Sequence, residues 1–239
     1  MEVSLVVPVF NNRTNGEAFC RDFLNANLVN TRLTLVDNGS DETESLGHLA
    51  DMAPGRIRVI TLKVNEGFGG GIQAGLKLAD SEWLVWLPGN MKVPPSGLRN
   101  YLDYVRSQDV GTLIKAYRSG RSFGPRAKTF LASVAQSVVS GTLLCDTGGT
   151  PTALHKDNPL LTVILNGPKD YSFESFVLFI AKLGGVKVVR LKVAYGVRLF
   201  GSSHWQSGLG SELRLITSIL MKIPSWRSRY KPQESVAKN

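Results

Sequence analysis

The residues in this chain whose types could do chemistry stand where short apolar runs stop. Trp83–Leu87 is apolar and ends at Pro88-Gly89-Asn90, a sharp turn whose only side-chain oxygen is the Asn90 amide. Asp37 ends a second run in Val36-Asp37-Asn38-Gly39-Ser40. Its carboxylate can accept N–H bonds from a ligand, or serve only as a turn and cap residue. Pro8-Val9-Phe10-Asn11-Asn12 closes the first apolar run in a similar way. Asn65-Glu66-Gly67-Phe68-Gly69-Gly70-Gly71 precedes a helical pattern. Glycines there let a phosphate approach a helix N-terminus. The spacing matches neither the Walker nor the dinucleotide fingerprint, so a merely flexible loop is the alternative. Arg118-Ser119-Gly120-Arg121, with Arg126 and Lys128 beyond, sets two guanidiniums three residues apart. That spacing suits a bidentate grip on phosphate, or a solvated charged face. Arg198–Trp205 (RLFGSSHW) gathers a cation, hydroxyls, the His204 imidazole and an indole in one loop. Polar groups converging in a loop mark a ligand site, although His204 alone would read as structural.

The elements that must position these groups follow a regular plan. Strands are expected over Glu2–Phe10, Arg32–Val36, Ile57–Leu62 and Trp83–Leu87. Between them helices are expected over Glu17–Val29 (capped by Thr14), Glu42–Met52, and from the glycine-rich loop to Ala79. Strand-helix units of this length predict right-handed βαβ winding and a mostly parallel sheet with helices on both faces. The loops at 8–12, 37–40 and 88–90 then share one rim. Further on, helices are expected over Leu98–Val105, Thr129–Val139, Tyr171–Leu183 and Ser211–Lys222. Strands are expected over Val110–Ala116 and Val186–Val193, and Leu143–Thr150 is strand-like running into turns. The simplest division is one domain, 1–223, and a basic, flexible tail, 224–239.

Bulk properties narrow the partners. The 239 residues are 43% hydrophobic and 20% charged, enough apolar material for a real core. Net charge is +9, which implies a polyanionic partner: nucleic acid, a phosphorylated small molecule or an anionic membrane surface. The basic residues are not interleaved with aromatics as base-stacking platforms would be, which disfavours nucleic acid. Cys20 and Cys145 form neither a disulfide framework nor a metal-ligand spacing, so a reducing cytoplasm is the expected setting. The start, MEVSLVVPVF, has an acid where a secretion signal is basic, and its apolar run is too short to span a bilayer. Peripheral contact is open. Ser211–Lys222 carries Leu213, Leu215, Ile216, Ile219 and Leu220, with Lys222, Arg227, Arg229 and Lys231 in and beyond it. That segment can rest on anionic lipid or pack on the core.

Taken in order, VSLVVPVFNN, LVDNGSDET, NEGFGGGIQAGLKLADSEWLVWL, RSGR, DTGGTP, YSFE and the late GSSHW resemble a family 2 glycosyltransferase of the GT-A fold. They most resemble the polyprenyl-phosphate (dolichyl-phosphate mannose synthase-like) branch. The resemblance implies a transferase that uses a UDP- or GDP-sugar and a phosphorylated lipid or nascent glycan acceptor, working in the cytoplasm or at the inner face of the cytoplasmic membrane. It places Pro8, Phe10, Asn12 and Asp37 around the nucleoside, with Asn12 standing where an acid is common. Asn65, Gly67, Gly71, Pro88, Asn90 and His204 shape the diphosphate and sugar pocket. Arg118 and Arg121 face the acceptor phosphate and Arg198 the donor diphosphate, and Asp146 and Glu174 match recurrent acids. The family's Asp-X-Asp, which holds Mg or Mn, is replaced here by Pro88-Gly89-Asn90. Hard cations want several anionic oxygens, so Asn90 alone is a weak candidate ligand. Either cations such as Lys92, Arg118, Arg121 and Arg198 replace the metal, or the chain keeps the fold as a catalytically silent binding protein. The first is preferred because the other site-like loops are intact.

Overall fold

The computed structural model describes residues 1–196 and 209–230. Val3–Val9 (β1) is buried at every position, and the period-two alternation of a strand divides its side chains between two cores. Val3, Leu5, Val7 and Val9 join Phe19, Phe23, Leu33, Leu35 and Tyr101 in one. Val6 joins Val36, Trp86, Phe173, Phe176 and Trp226 in the other. A strand apolar on both faces belongs inside a sheet that is covered on both sides.

The strands that follow are β2 (Thr31–Asp37), β3 (Ile57–Thr61), β4 (Trp83–Trp86), β5 (Thr112–Ser119), β6 (Thr152–His155) and β7 (Lys187–Ala194). They form one sheet in the order β3-β2-β1-β4-β6-β5-β7. β1 pairs in parallel with β2 and β4, β2 with β3, and β5 with β7. β6 runs against both its neighbours. Two reversals cancel, so β5 and β7 point the same way as β1, β2 and β4. Their C-terminal ends, and the start of β6, therefore lie along one edge, where open α/β sheets bind ligands. This is the mixed α/β architecture expected for the GT-A fold.

Helices α1 (Arg13–Ala26) and α3 (Arg99–Arg106) cover the first core. Helices α2 (Gly67–Leu78), α5 (Leu160–Leu165), α6 (Phe173–Leu183) and α7 (Leu209–Arg229) cover the second. Helix α4 (Phe123–Ser140) packs beside α7. Close approach of α2 to the sheet depends on Gly75, where a Cβ would lie 2.3 Å from Val6 Cγ1.

Several elements differ from the sequence expectation, each for a local reason. The first helix starts at Arg13 because Asn12, not Thr14, caps it: the Asn15 N–H donates to Asn12 Oδ1 at 3.2 Å. It ends at Asn27, which adopts the left-handed conformation (φ 44°) that asparagine tolerates. Residues 42–52 form two short 3₁₀ turns, Glu42–Glu44 and Gly47–Met52, because the Leu46 N–H between them is drawn onto the Asp37 carboxylate. Leu143–Thr150 forms turns, and the strand comes later as β6, too short and too close to turn residues to stand out. Helix α5 was not expected. The expected tail does not begin at residue 224: α7 continues through Pro224 to Arg229. Trp226 is 5% exposed and holds this last turn in place, its ring 5.3 Å from Phe176 and 6.2 Å from Phe179.

Candidate active site

The loops after β1, β2 and β3 are stitched into one surface by short polar side chains. The Asn11 N–H donates to Ser40 Oγ (3.0 Å), the Asn11 amide donates to Asp41, and the Asp41 N–H returns a bond to Asn11 Oδ1 (2.9 Å). Asp37 is 1% exposed, and its two oxygens accept from the Ser40 N–H (3.1 Å) and the Leu46 N–H (3.0 Å). In this structure it fastens its own loop, as the turn reading has it. Asn38 reaches across to the glycine-rich segment, donating to Gly67 O (3.0 Å) and accepting from the Glu66 N–H (3.2 Å). Asn65 Oδ1 accepts from the Gly67 N–H (2.8 Å). Gly39 is needed here twice over: φ is +75°, and a Cβ would sit 2.3 Å from the Val64 carbonyl carbon.

The glycines of 67–71 make room for the protein's own chain. A Cβ on Gly67 would lie 2.6 Å from Lys169 O, and the Gly70 N–H donates to that same oxygen at 2.9 Å. Gly71 faces Pro8, and a Cβ on it would lie 2.9 Å from Pro8 Cβ. Gly67, Gly71 and Pro8 thus pack α2 onto β1 and the 168–169 segment. Phe10 and Asn12 stand half-buried at the exit of β1.

The second half of the rim belongs to Arg118, at the end of β5, and Asp146. The Arg118 Nε donates to Asp146 Oδ1 (2.9 Å), a second guanidinium nitrogen closes on the same oxygen, and the Arg118 N–H reaches Oδ2 (3.3 Å). The Asp146 N–H donates to Ser133 Oγ (3.0 Å), which fixes the acid from α4. Burial pushes the Asp146 carboxyl up, but the Arg118 hydrogen bonds and charge outweigh it and hold it below the usual carboxylate range. The guanidinium also lies over the Tyr195 ring at 5.7 Å, and Tyr195 Oη meets Thr150 Oγ1 at 2.8 Å. Arg121 donates to Thr129 Oγ1 (3.0 Å), while its Nε is buried without a hydrogen-bond partner. Burial and then the neighbouring Arg118 charge push Arg121 below the ordinary arginine value. Two guanidiniums that repel each other, one with an unmet donor, have the chemistry to take an anion.

Glu174 sits beneath the same edge, below β4 and β6. It is 4% exposed under the end of β4, accepting from Trp86 Nε1 (2.7 Å) and Thr152 Oγ1 (3.0 Å) and paired with Lys115, which is fully buried. That is the geometry of a core counter-ion, and none of these bonds reaches the Arg118–Asp146 pair. Lys115 went unnoticed in the sequence, although a single lysine in the apolar LIKAY run was its signal. Tyr195 carried no signal beyond being aromatic. Arg198 and His204 lie outside the described residues.

Residues 4–157, more than half of the chain, match the model of glycosyl transferase family 2. The chain belongs to that family. A comparison with curated proteins finds no match. Among solved structures, this family 2 chain is similar to glucosyl-3-phosphoglycerate synthase from Mycobacterium tuberculosis in complex with Mn²⁺, UDP-glucose and phosphoglyceric acid. The identity is 18%, covering 98% of this chain and 82% of that one, at TM-score 0.66. It is also similar to S. aureus TarS residues 1–349 in complex with UDP-GlcNAc, at 17% identity, covering 97% and 74%, with TM-score 0.52. At these identities the likeness shows the fold, and the GT-A assignment agrees with it.

The corner after β4 in this family 2 chain does not suit a divalent cation. Pro88 offers no side-chain oxygen. At Gly89 a Cβ would meet Val9 Cγ2 at 2.6 Å, so β1 fills the side-chain direction. Asn90 Oδ1 already accepts from the Lys92 N–H at 3.2 Å. Among the described residues no group of three or more His, Cys, Asp or Glu could hold a metal. Lys92 O accepts from the Gly196 N–H (2.8 Å), which ties this corner to the loop after β7.

Proposed function

We propose that this chain transfers a sugar from a UDP- or GDP-sugar to a phosphorylated polyprenyl lipid or a nascent glycan, with inversion, and that cationic side chains take the part of a chelated ion. The observation that carries this reading is the Arg118–Arg121 pair on the ligand-binding edge, braced by Asp146 and Tyr195. The structural relatives lend support, since one was solved with a UDP-sugar and a phosphorylated carboxylic acid together. In the reaction, an oxygen of the acceptor attacks the anomeric carbon as the bond to the diphosphate breaks, and the nucleoside diphosphate leaves with the electron pair. A lipid phosphate oxygen is already ionised and requires no strong base, whereas a glycan hydroxyl has to give up its proton to a base as it attacks. The developing charge on the leaving group needs fixed positive charge, and guanidiniums held in a partly dry site supply it without reorganising.

Calorimetric titration with a panel of UDP- and GDP-sugars, with Mn²⁺ and with chelator, tests the reading. Binding of one donor is expected to be the same in both conditions. Arg121→Ala is expected to weaken binding or turnover roughly tenfold or more, the worth of charge-assisted hydrogen bonds. Absence of binding to every donor would overturn it. The neutral Pro88-Gly89-Asn90 corner specifically favours a second reading, a GT-A-fold binding protein without turnover. Under that reading Arg121→Ala complements a deletion strain as well as the parent chain does.

A further inference from the structure

Helix α4 is turned inside out. Its inward positions are polar: Ser133, Gln136 and Ser140 are buried. Its hydroxyls tie down the chain that follows: the Leu144 N–H donates to Ser137 Oγ (2.9 Å), and Ser140 Oγ meets Thr142. Its outward face is apolar. Phe123 is 84% exposed, Phe130 68%, Leu131 66% and Val138 75%, with Val134 between them and Leu143 (72%) just past the helix end. Residues three and four apart are neighbours on a helix, so 123, 127, 130, 131, 134 and 138 make one continuous stripe. A stripe of this kind is rare on a protein surface that meets only water.

The surrounding charge says what covers it. From Tyr117 to Cys145 there is no Asp or Glu, and there are four cations: Arg118, Arg121, Arg126 and Lys128. Arg118 is paired with Asp146, and Arg126 and Lys128 are on the exposed surface of α4 itself. Helix α7 lies alongside. Leu213 (63%) and Met221 (71%) are exposed on it, and the Arg227 guanidinium comes within 3.5 Å of the Cβ position of Gly141 at the end of α4. A second copy packed on this face by two-fold symmetry would set its cations against the same cations. An anionic bilayer satisfies both parts, with apolar side chains at the acyl boundary and Lys and Arg among the headgroups. We propose that the outward face of α4 docks this protein on an anionic lipid surface. The sequence alone leaves 211–222 open between lipid and core, and α7 spends Ile219, Ile223 and Trp226 on the core. The inference does not rest on which sugar or acceptor is used.

Flotation of the full-length protein with phosphatidylcholine vesicles, with and without phosphatidylglycerol, reads the contact without any catalytic step. The protein is expected to float with the anionic vesicles and not with pure phosphatidylcholine. Phe130→Ser/Leu131→Ser/Val138→Ser is expected to lose roughly tenfold or more in partitioning, because these side chains supply the buried apolar area. Arg126→Glu/Lys128→Glu leaves the stripe intact and is expected to lose as much, each cation near such a surface being worth about fivefold. Val29→Ser/Leu78→Ser, exposed apolar positions elsewhere, is expected to float like the parent. The proposal falls if the parent fails to float, if it floats equally without phosphatidylglycerol, or if either α4 variant floats undiminished. It falls equally if sedimentation equilibrium shows a dimer that the serine variant converts to monomer without any vesicle binding in the parent.

Discussion

Burying Lys115 inside β5 leaves its ammonium dependent on Glu174, Thr152 and the packing around them. Burial pushes the Lys115 pKa down, and the facing carboxylate only partly restores it. Removing one partner of such a pair strands the other in a dry interior. Glu174→Gln is therefore expected to destabilise the fold by roughly 3–5 kcal/mol, measured by urea unfolding, and to act on stability well before it acts on donor binding. Asp146 makes the contrasting case at the edge of the site. Its folded pKa lies below the unfolded one, so its contribution is present above the unfolded value, near pH 4, and is lost as pH falls through the folded value. The melting temperature of the parent is expected to drop more steeply below pH 4 than that of Asp146→Asn, which starts lower at neutral pH. Parallel curves for the two would show that the Arg118 pair adds nothing.

At the scale of elements, packing overrides local preference. Pro224 removes a helical N–H and would ordinarily end α7. The helix continues because Trp226 and Tyr230 both close on Phe176, each at 5.3 Å. Trp226→Ala is expected to cost about 3–5 kcal/mol, and to loosen the last turn of α7 in hydrogen exchange while leaving β1–β4 protected. Helix α2 shows the opposite constraint, a lack of space. Gly75→Ala must push Val6 or lift the helix from β1, and about 1–3 kcal/mol of destabilisation is expected in thermal unfolding.

At the scale of the whole molecule, the two thiols report on the two kinds of surface the fold creates. Cys20 is buried in the first core, where desolvation pushes its pKa up to about 12, and Cys145 is exposed beside the Arg118 site. One thiol is expected to react with an aromatic disulfide reagent at once and the second only with global unfolding. The same burial has a pH consequence. The neutral Cys20 contributes fully below the unfolded value of 9.0, and its contribution is lost as pH rises towards about 12. Two fast thiols in native buffer would contradict the core placement of α1.

The sequence by itself determined the winding of the sheet's first half, since apolar runs of strand length alternate with amphipathic ones and leave a single handed way to connect them. It also determined that the corner after β4 is neutral, because side-chain chemistry at 88–90 needs no fold to be read. Only the tertiary structure decided what long-range partners each residue has. It put Asp37 on its own loop, Glu174 under Lys115, and the glycines of 67–71 against the 168–169 backbone. It also set the serines of α4 inward and its phenylalanines outward. Periodicity tells which residues share a face, but which face turns to the core is settled by what stands opposite, and those neighbours are distant in the chain.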